Sequence, residues 1–280
     1  MSATVRYDLT VTAQSSIAHG GELLGTTTLL RRETILGPDG TRHEIPIVSG
    51  NALRAALRRT GEDLLRDILA YEGQISFAAA IALIGGGRLA KTTTTPLSGR
   101  RLLHLRELNP VISVFGASTA GACIEGSLDV GKLVPHLRET AHLTDAGKHA
   151  PAAFTATQQE TYSRVDHSSK HRTLTLTTTD ATETAAAPLA YQIETFPAGT
   201  RFSTWLQLSH ATDLDIAFVD DLITTYASTG TIGGRTAAGH GRITATIERT
   251  VLRGHPAPCD WRAHLTTHRQ AAIDALQELG

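Results

Sequence analysis

Two strand–helix units at opposite ends of the chain constrain the fold more than any other feature of the sequence. The first is Ile45-Pro46-Ile47-Val48-Ser49-Gly50-Asn51-Ala52-Leu53-Arg54-Ala55-Ala56-Leu57-Arg58-Arg59. A short apolar strand ends in small residues and a helix follows at once. Asn51 is the expected N-cap. Leu53, Leu57, Leu64 and Ile68 recur at helical spacing and mark the buried stripe, with Arg54 and Arg58 one turn apart on another face. In the second unit Leu214, Phe218, Leu222 and Tyr226 fall at helical spacing. A glycine-rich stretch follows, and Arg242 to Val251 then alternates as a strand.

Thr4 to Thr12 alternates as a first strand, and Thr26 to Leu36 reads as a second, after a turn at Gly20-Gly21. Gly37-Pro38-Asp39-Gly40 is a turn by composition. Phe77 to Leu83 reads as helix, broken by Gly85-Gly86-Gly87. Arg88 to Asn109 reads as an inserted loop or flap, Val111 to Phe115 as a strand, and Ile124 to Leu133 as a strand pair. Thr161 to Pro188, rich in threonine, reads as a protruding β-hairpin or disordered arm. Tyr191 to His210 is a strand–turn–strand, and Trp261 to Leu279 a terminal helix. Two split β–α–β halves on one antiparallel sheet make an α+β fold of the ferredoxin-like plan, which RRM-like RNA-binding modules share. The plan does not by itself assign a function.

The composition excludes several classes. The chain has 280 residues, 41% of them apolar, enough for a core without staples. Cys123 and Cys259 form no spaced pattern, against a disulfide scaffold or a cysteine-rich zinc site. A reducing cytoplasm is expected. Met1 to Asp8 has no apolar signal region, and Ile75 to Ile84 is half of the roughly 20 residues that span a membrane. The net charge is −1, no footprint of a free-standing DNA binder. Its distribution is uneven. Arg88, Lys91, Arg100, Arg101 and Arg106 occur without an acid between them, and Asp213 to Asp221 holds four aspartates without a base. Opposite runs of this kind are solvated faces or suit end-to-end contacts between copies.

Two motifs carry candidate chemistry. At Ser49-Gly50-Asn51 a helix N-terminus would present N–H groups to a phosphate, with Arg54 or Arg58 as a charged fork. The plain alternative is a capped helix with solvated arginines. From Gly230 to Gly241 the glycines, including Gly233 and Gly234, let backbone approach a ligand, with Arg235 and His240 among them. The alternative there is a flexible connector. A dinucleotide loop has the reverse element order, and Gly85 to Thr92 lacks the glycine that a Walker loop needs before Lys91.

Together, and in this order, Ile45 to Arg59, Phe115-Gly116, the Arg164 region leading to Tyr191–Phe202, and Gly233-Gly234-Arg235 with Gly239-His240-Gly241 resemble the RAMP superfamily. The resemblance is to the backbone subunits of CRISPR ribonucleoprotein effector complexes. It implies one RRM-like palm over 1–280, with insertions at about 71–110 and 135–160 and a thumb hairpin at about 163–188. It also implies that copies stack helically on a guide RNA (crRNA), each thumb kinking the strand. His19, Gly20, Gly21, Ser49, Gly50, Asn51, Arg54, Arg58, Arg164, Lys170, Arg172, Gly233, Gly234, Arg235 and His240 would bind RNA. The implied partners are the guide RNA, copies of the chain itself, and a large subunit, a handle-binding subunit and small subunits of the complex. No membrane, cofactor or metal is expected.

Type III relatives cleave target RNA with an Asp just before the Ile-Pro motif. Here the stretch reads Leu29-Leu30-Arg31-Arg32-Glu33-Thr34, and the nearest carboxylates are Glu33 and Asp39. That resembles type IV backbone subunits, which bind RNA without cutting it, and a non-catalytic chain is expected. Two alternatives stay open. One is a nuclease of the same superfamily using His19, Asp39 or His171. The other is a metal-dependent hydrolase using histidines between His136 and His171, against which stands the lack of convergent ligand spacing.

Overall fold

The computed structural model describes residues 2–87, 97–119, 122–164 and 189–279. Its organising element is an antiparallel sheet of β8 (Leu128–Val130), β12 (Arg201–Ala211), β1 (Ala3–Ala13) and β13 (Ile243–Arg253), in that order, with β9 (Val134–Pro135) also pairing β12. Period-two alternation makes β1 one-sided: Ala3, Val5, Tyr7, Leu9, Val11 and Ala13 are buried while their neighbours are not. In register, Arg6 lies opposite Gln207 on β12 and Thr250 on β13.

Two helices cover the buried face. Helix α1 (Gly50–Leu69) presents Leu53, Ala56, Leu57, Leu64, Leu65 and Leu69. Gly61 in its middle lets Phe218 come close; a Cβ there would lie 2.9 Å from the Phe218 ring. Helix α5 (Asp213–Thr229) buries Ile216, Phe218, Val219, Leu222, Ile223 and Tyr226. A reciprocal box of Thr212 and Asp215 caps it. The order β1-α1-β8-β12-α5-β13 thus builds one α+β layer pair, and the two sequence units lie side by side in it.

A second sheet runs β10 (Gln158–Arg164), β11 (Leu189–Thr195), β3 (Thr27–Leu30), β2 (Gly20–Leu24), with β11 and β3 parallel. Buried Glu194 ties it to the neighbouring hairpin of β4 (Arg32–Leu36) and β5 (Arg42–Pro46). It accepts from Leu30 N (2.9 Å) and Thr157 Oγ1 (2.8 Å) and pairs with Arg32.

Several expectations need correction. The second strand is two, β3 and β4, interrupted at Arg31, and Gly20 and Gly21 open a further strand, β2, rather than forming a turn. Val111 to Phe115 belongs to a helix, α4 (Pro110–Phe115), because all six of its residues are buried on every side and Pro110 starts it well. Continuous apolar runs do not separate strand from helix. The stretch expected as a flap contains helix α3 (Gly99–Leu108), whose Leu105 and Leu108 join the same core as Ala79, Ala82 and Leu83 of α2 (Phe77–Gly85). Residues 88–96 lie outside the described ones. Ile124 to Leu133 is not a strand pair: β6 (Ala117–Thr119) pairs β7 (Ala122–Ile124), while β8 pairs β12. Tyr191 to His210 spans two strands in different sheets. The C-terminal helix is broken at His268 into α6 (Trp261–Thr267) and α7 (Arg269–Gln277). Among the described residues no helix is long and apolar enough to cross a membrane.

Candidate nucleic-acid interface

Residues 14–19, which leave the end of β1, lace three remote segments together. Gln14 N donates to Arg242 O (2.7 Å) and Ser16 O accepts from Gly241 N (2.8 Å), fixing the foot of the glycine loop. Ile17 and Phe196 exchange hydrogen bonds at 2.9 and 3.0 Å, fixing the end of β11. Ala18 O accepts from Gly234 N (2.7 Å). One residue on, the His19 ring reaches the start of α1, where Nε2 accepts from Ser49 N at 3.2 Å. The first loop, the helix start and the glycine loop therefore share one edge of the molecule.

The glycines in that edge are needed by close approach. At Gly233 (φ +83°) a Cβ would sit 2.3 Å from Ala18 O, and at Gly241 (φ +81°) 2.2 Å from Ile232 O. Gly50 keeps an ordinary φ, but a Cβ there would lie 2.8 Å from Val130 O, so it lets α1 dock on β8. The N-cap is Ser49, two residues before the expected Asn51: its Oγ accepts from Ala52 N at 3.3 Å. Gly50 and Asn51 then occupy the first helical turn, where backbone N–H groups have no intrahelical acceptor, and Asn51 is exposed.

The glycine loop meets the base of a hairpin. β10 and β11 pair antiparallel with Tyr162 opposite Tyr191, and the two rings stack at 5.6 Å and 16°. Arg235 lies over both, 5.4 and 4.9 Å from the ring centres, and its Nη1 donates to Tyr191 OH (3.0 Å). Arg235 is exposed and holds a left-handed backbone (φ 59°), uncommon for a side chain of its size. Beneath it, His240 is buried. Its Nδ1 is 2.9 Å from Ser16 Oγ and its Nε2 2.5 Å from Tyr162 OH. His240 is thus a strut under the platform, not a surface contact.

The sequence-derived residues divide. His19, Gly20, Gly21, Ser49, Gly50, Asn51, Gly233, Gly234 and Arg235 come to this edge. Arg164 ends β10, opposite Leu189. Lys170 and Arg172 lie outside the described residues. Arg54 and Arg58 face inward, which corrects their reading as a phosphate fork. Arg58 is 7% exposed and donates to the carbonyls of Ala82 (2.7 Å), Phe115 (2.6 Å) and Gly116 (2.7 Å). Arg54 donates to Leu128 O and to Phe115 O (2.9 Å). Burial and then the neighbouring Arg54 push the Arg58 guanidinium down to about 10, so it stays charged at neutral pH. The two arginines satisfy carbonyls where α2 and α4 end and at the start of β8, a structural task.

One solved structure, described as "Type IV-B CRISPR Complex", contains a chain 34% identical to this one, with a TM-score of 0.66 over 92% of this chain and 96% of that chain. This chain belongs to that CRISPR-associated family. No family profile and no curated protein matches it.

In this CRISPR-associated chain the edge holds more than motif reading found. Arg31 and Lys132 flank it: Arg31 N donates to His19 O, and Lys132 precedes Leu133, which pairs with Val48. Both are about half exposed and both neighbour Glu33, Lys132 at 2.5 Å and Arg31 at 3.9 Å. Glu33 is thereby engaged by two cations. Asp39 is engaged by its own turn, accepting from Thr41 N (3.0 Å) and Thr41 Oγ1 (2.7 Å), which hold its carboxyl below the usual range. The His19 ring is pushed below its ordinary value by burial and by Arg31, which suits its acceptor role. Tyr162 and Tyr191 were also missed. Their only signal is the register of a hairpin whose two halves are far apart in sequence. Among the described residues no group of three metal-ligating side chains converges, and His167 and His171 lie outside them.

Proposed function

We propose that this chain is a guide-RNA-binding backbone subunit of a CRISPR ribonucleoprotein effector complex, that copies of it assemble helically along the strand, and that it does not cut RNA. The observation that carries this reading is the shared edge. A helix N-terminus, a glycine loop and a stacked Arg–Tyr–Tyr platform meet at the base of a hairpin. Exposed N–H groups and Arg235 suit phosphates, and the half-buried rings suit unstacked bases. The order β13-β1-β12-β8, with α1 and α5 on one face, supports the ferredoxin-like, RRM-like assignment. The thumb would rise from β10 and β11. The relationship to a chain of a type IV-B complex supports other subunits of such a complex as partners. Glu33 held by cations and Asp39 held by its turn support the non-catalytic reading over a type III-like subunit that cleaves at regular intervals.

Purification without nuclease is the test. The expected result is RNA-containing filaments; an RNA-free monomer at low salt would overturn the reading. Incubating the particle with complementary RNA and Mg²⁺ should leave that RNA intact, whereas cuts at a regular interval would establish the alternative.

A further inference from the structure

A second basic site lies further along the seam that carries the Arg235 edge. A cavity of about 520 Å³ opens between the loop 136–151 and the Pro197-Ala198-Gly199-Thr200 turn. Its ionisable lining is His136, Lys148, His149 and Arg201, with Thr155 and Thr200 beside them and no carboxylate among the lining residues. Leu137, Pro151, Ala156 and Pro197 line it too and give it an apolar wall.

The walls are built. His136 N donates to Arg201 O (2.8 Å) and Arg138 N to Pro151 O (2.9 Å), so the loop is stitched to β12 and to itself. The His136 ring is buried and lies with Nε2 2.8 Å from Ser203 Oγ. Lys148 and Arg201 make no ion pair with the described residues, whereas Arg6, Arg32, Arg66, Arg101, Arg249 and Arg262 each do. Asp145, the acid felt by His136, is exposed and outside the lining. Cations without an ion-pair partner among the described residues, beside an apolar wall, favour an anion that carries an apolar body.

The position gives that anion a source. The turn at 197–200 continues directly from β11: Phe196 pairs with Ile17, one residue before Ala18 meets the glycine loop, and Gly199 N donates to Ala13 O (2.8 Å). The cavity therefore sits a few residues from the Arg235 platform along the same seam. We infer that it is a nucleotide subsite for the same single strand. Lys148 and Arg201 hold a phosphate, and the nucleoside lies against Leu137, Pro151 and Pro197. This rests on the RNA-binding reading.

The test uses the full chain and an oligoribonucleotide carrying 4-thiouridine. Photocrosslinks are expected on peptides covering 147–151 or 197–201. In parallel, Lys148→Gln with Arg201→Gln should weaken RNA binding roughly tenfold or more, the size of a lost charged hydrogen bond. The salt slope should become shallower by about 0.7, the value for one single-strand phosphate. Both side chains are exposed and make no ion pair with the described residues, so melting should not change. Wild-type binding with neither crosslink, or an unaltered slope in the double variant, overturns the subsite and leaves the wider reading standing. Failure of the wild-type chain to bind RNA removes both.

Discussion

Arg58 shows how a side chain that looks like a ligand-binding cation becomes part of the core. Its carbonyl acceptors belong to the ends of α2 and α4, which could not otherwise be buried. Arg58→Ala should destabilise the fold by ~2–4 kcal/mol by orphaning those acceptors, read as a lower urea midpoint at unchanged m-value. His19 makes a different prediction. Its folded-state value is depressed, so the unfolded chain takes up the proton first. The stability it supplies is complete above about 6.5 and is lost as pH falls below that toward the folded-state value. Protonation also removes the lone pair that accepts from Ser49 N. Melting temperature should drop between about pH 7.5 and about pH 5.5. His136, also depressed by burial and Arg201, adds to the drop with the same sign. His19→Gln should lessen the drop without abolishing it.

The β10–β11 hairpin and the glycine loop act as one element because Arg235 clamps them. A left-handed arginine is costly, and glycine takes that conformation freely. Arg235→Gly should therefore leave stability within ~1 kcal/mol, the relieved backbone offsetting the lost stack. RNA affinity should meanwhile fall roughly tenfold. A matching loss of stability and affinity would mean that the stack is only a brace. At the start of α1 the cap falls on Ser49 because its Oγ, not the Asn51 side chain, accepts from Ala52 N, the third N–H of the helix. Helical spacing located the helix, but a difference of two residues at its start depends on where the strand before it turns.

Across the molecule, the charge runs do not act as their sequence suggests. Asp220 pairs with Arg249 and Asp221 with Arg262, while Asp213 accepts from Ala257 N. The acidic run is thus largely spent inside one chain and is not left for a neighbouring copy. With Arg54 and Arg58 also turned inward, fewer cations are available to RNA than the sequence suggests. About four phosphates per copy would give a salt slope of roughly −3. Titration of RNA binding against salt checks this, and a slope steeper than about −6 would mean that groups outside this edge carry the binding.

Local pattern was enough for much of this: the alternation of β1 and β13, the helices α1 and α5, the turn at Pro38-Asp39, and the glycine loop as a site of close approach. Each is decided within a dozen residues by period or by backbone freedom. The resemblance carried by these motifs is to CRISPR effector subunits, the family to which the chain belongs. What the motifs could not convey is which side chains face out. Arg54, Arg58 and His240 read as surface cations or ligands and are held by internal acceptors. Tyr162, Tyr191, Arg31, Lys132 and the basic cavity carry no motif at all. Their environments arise from contacts between residues tens to hundreds of positions apart, and only the packed sheet and its seam bring those residues within hydrogen-bonding reach.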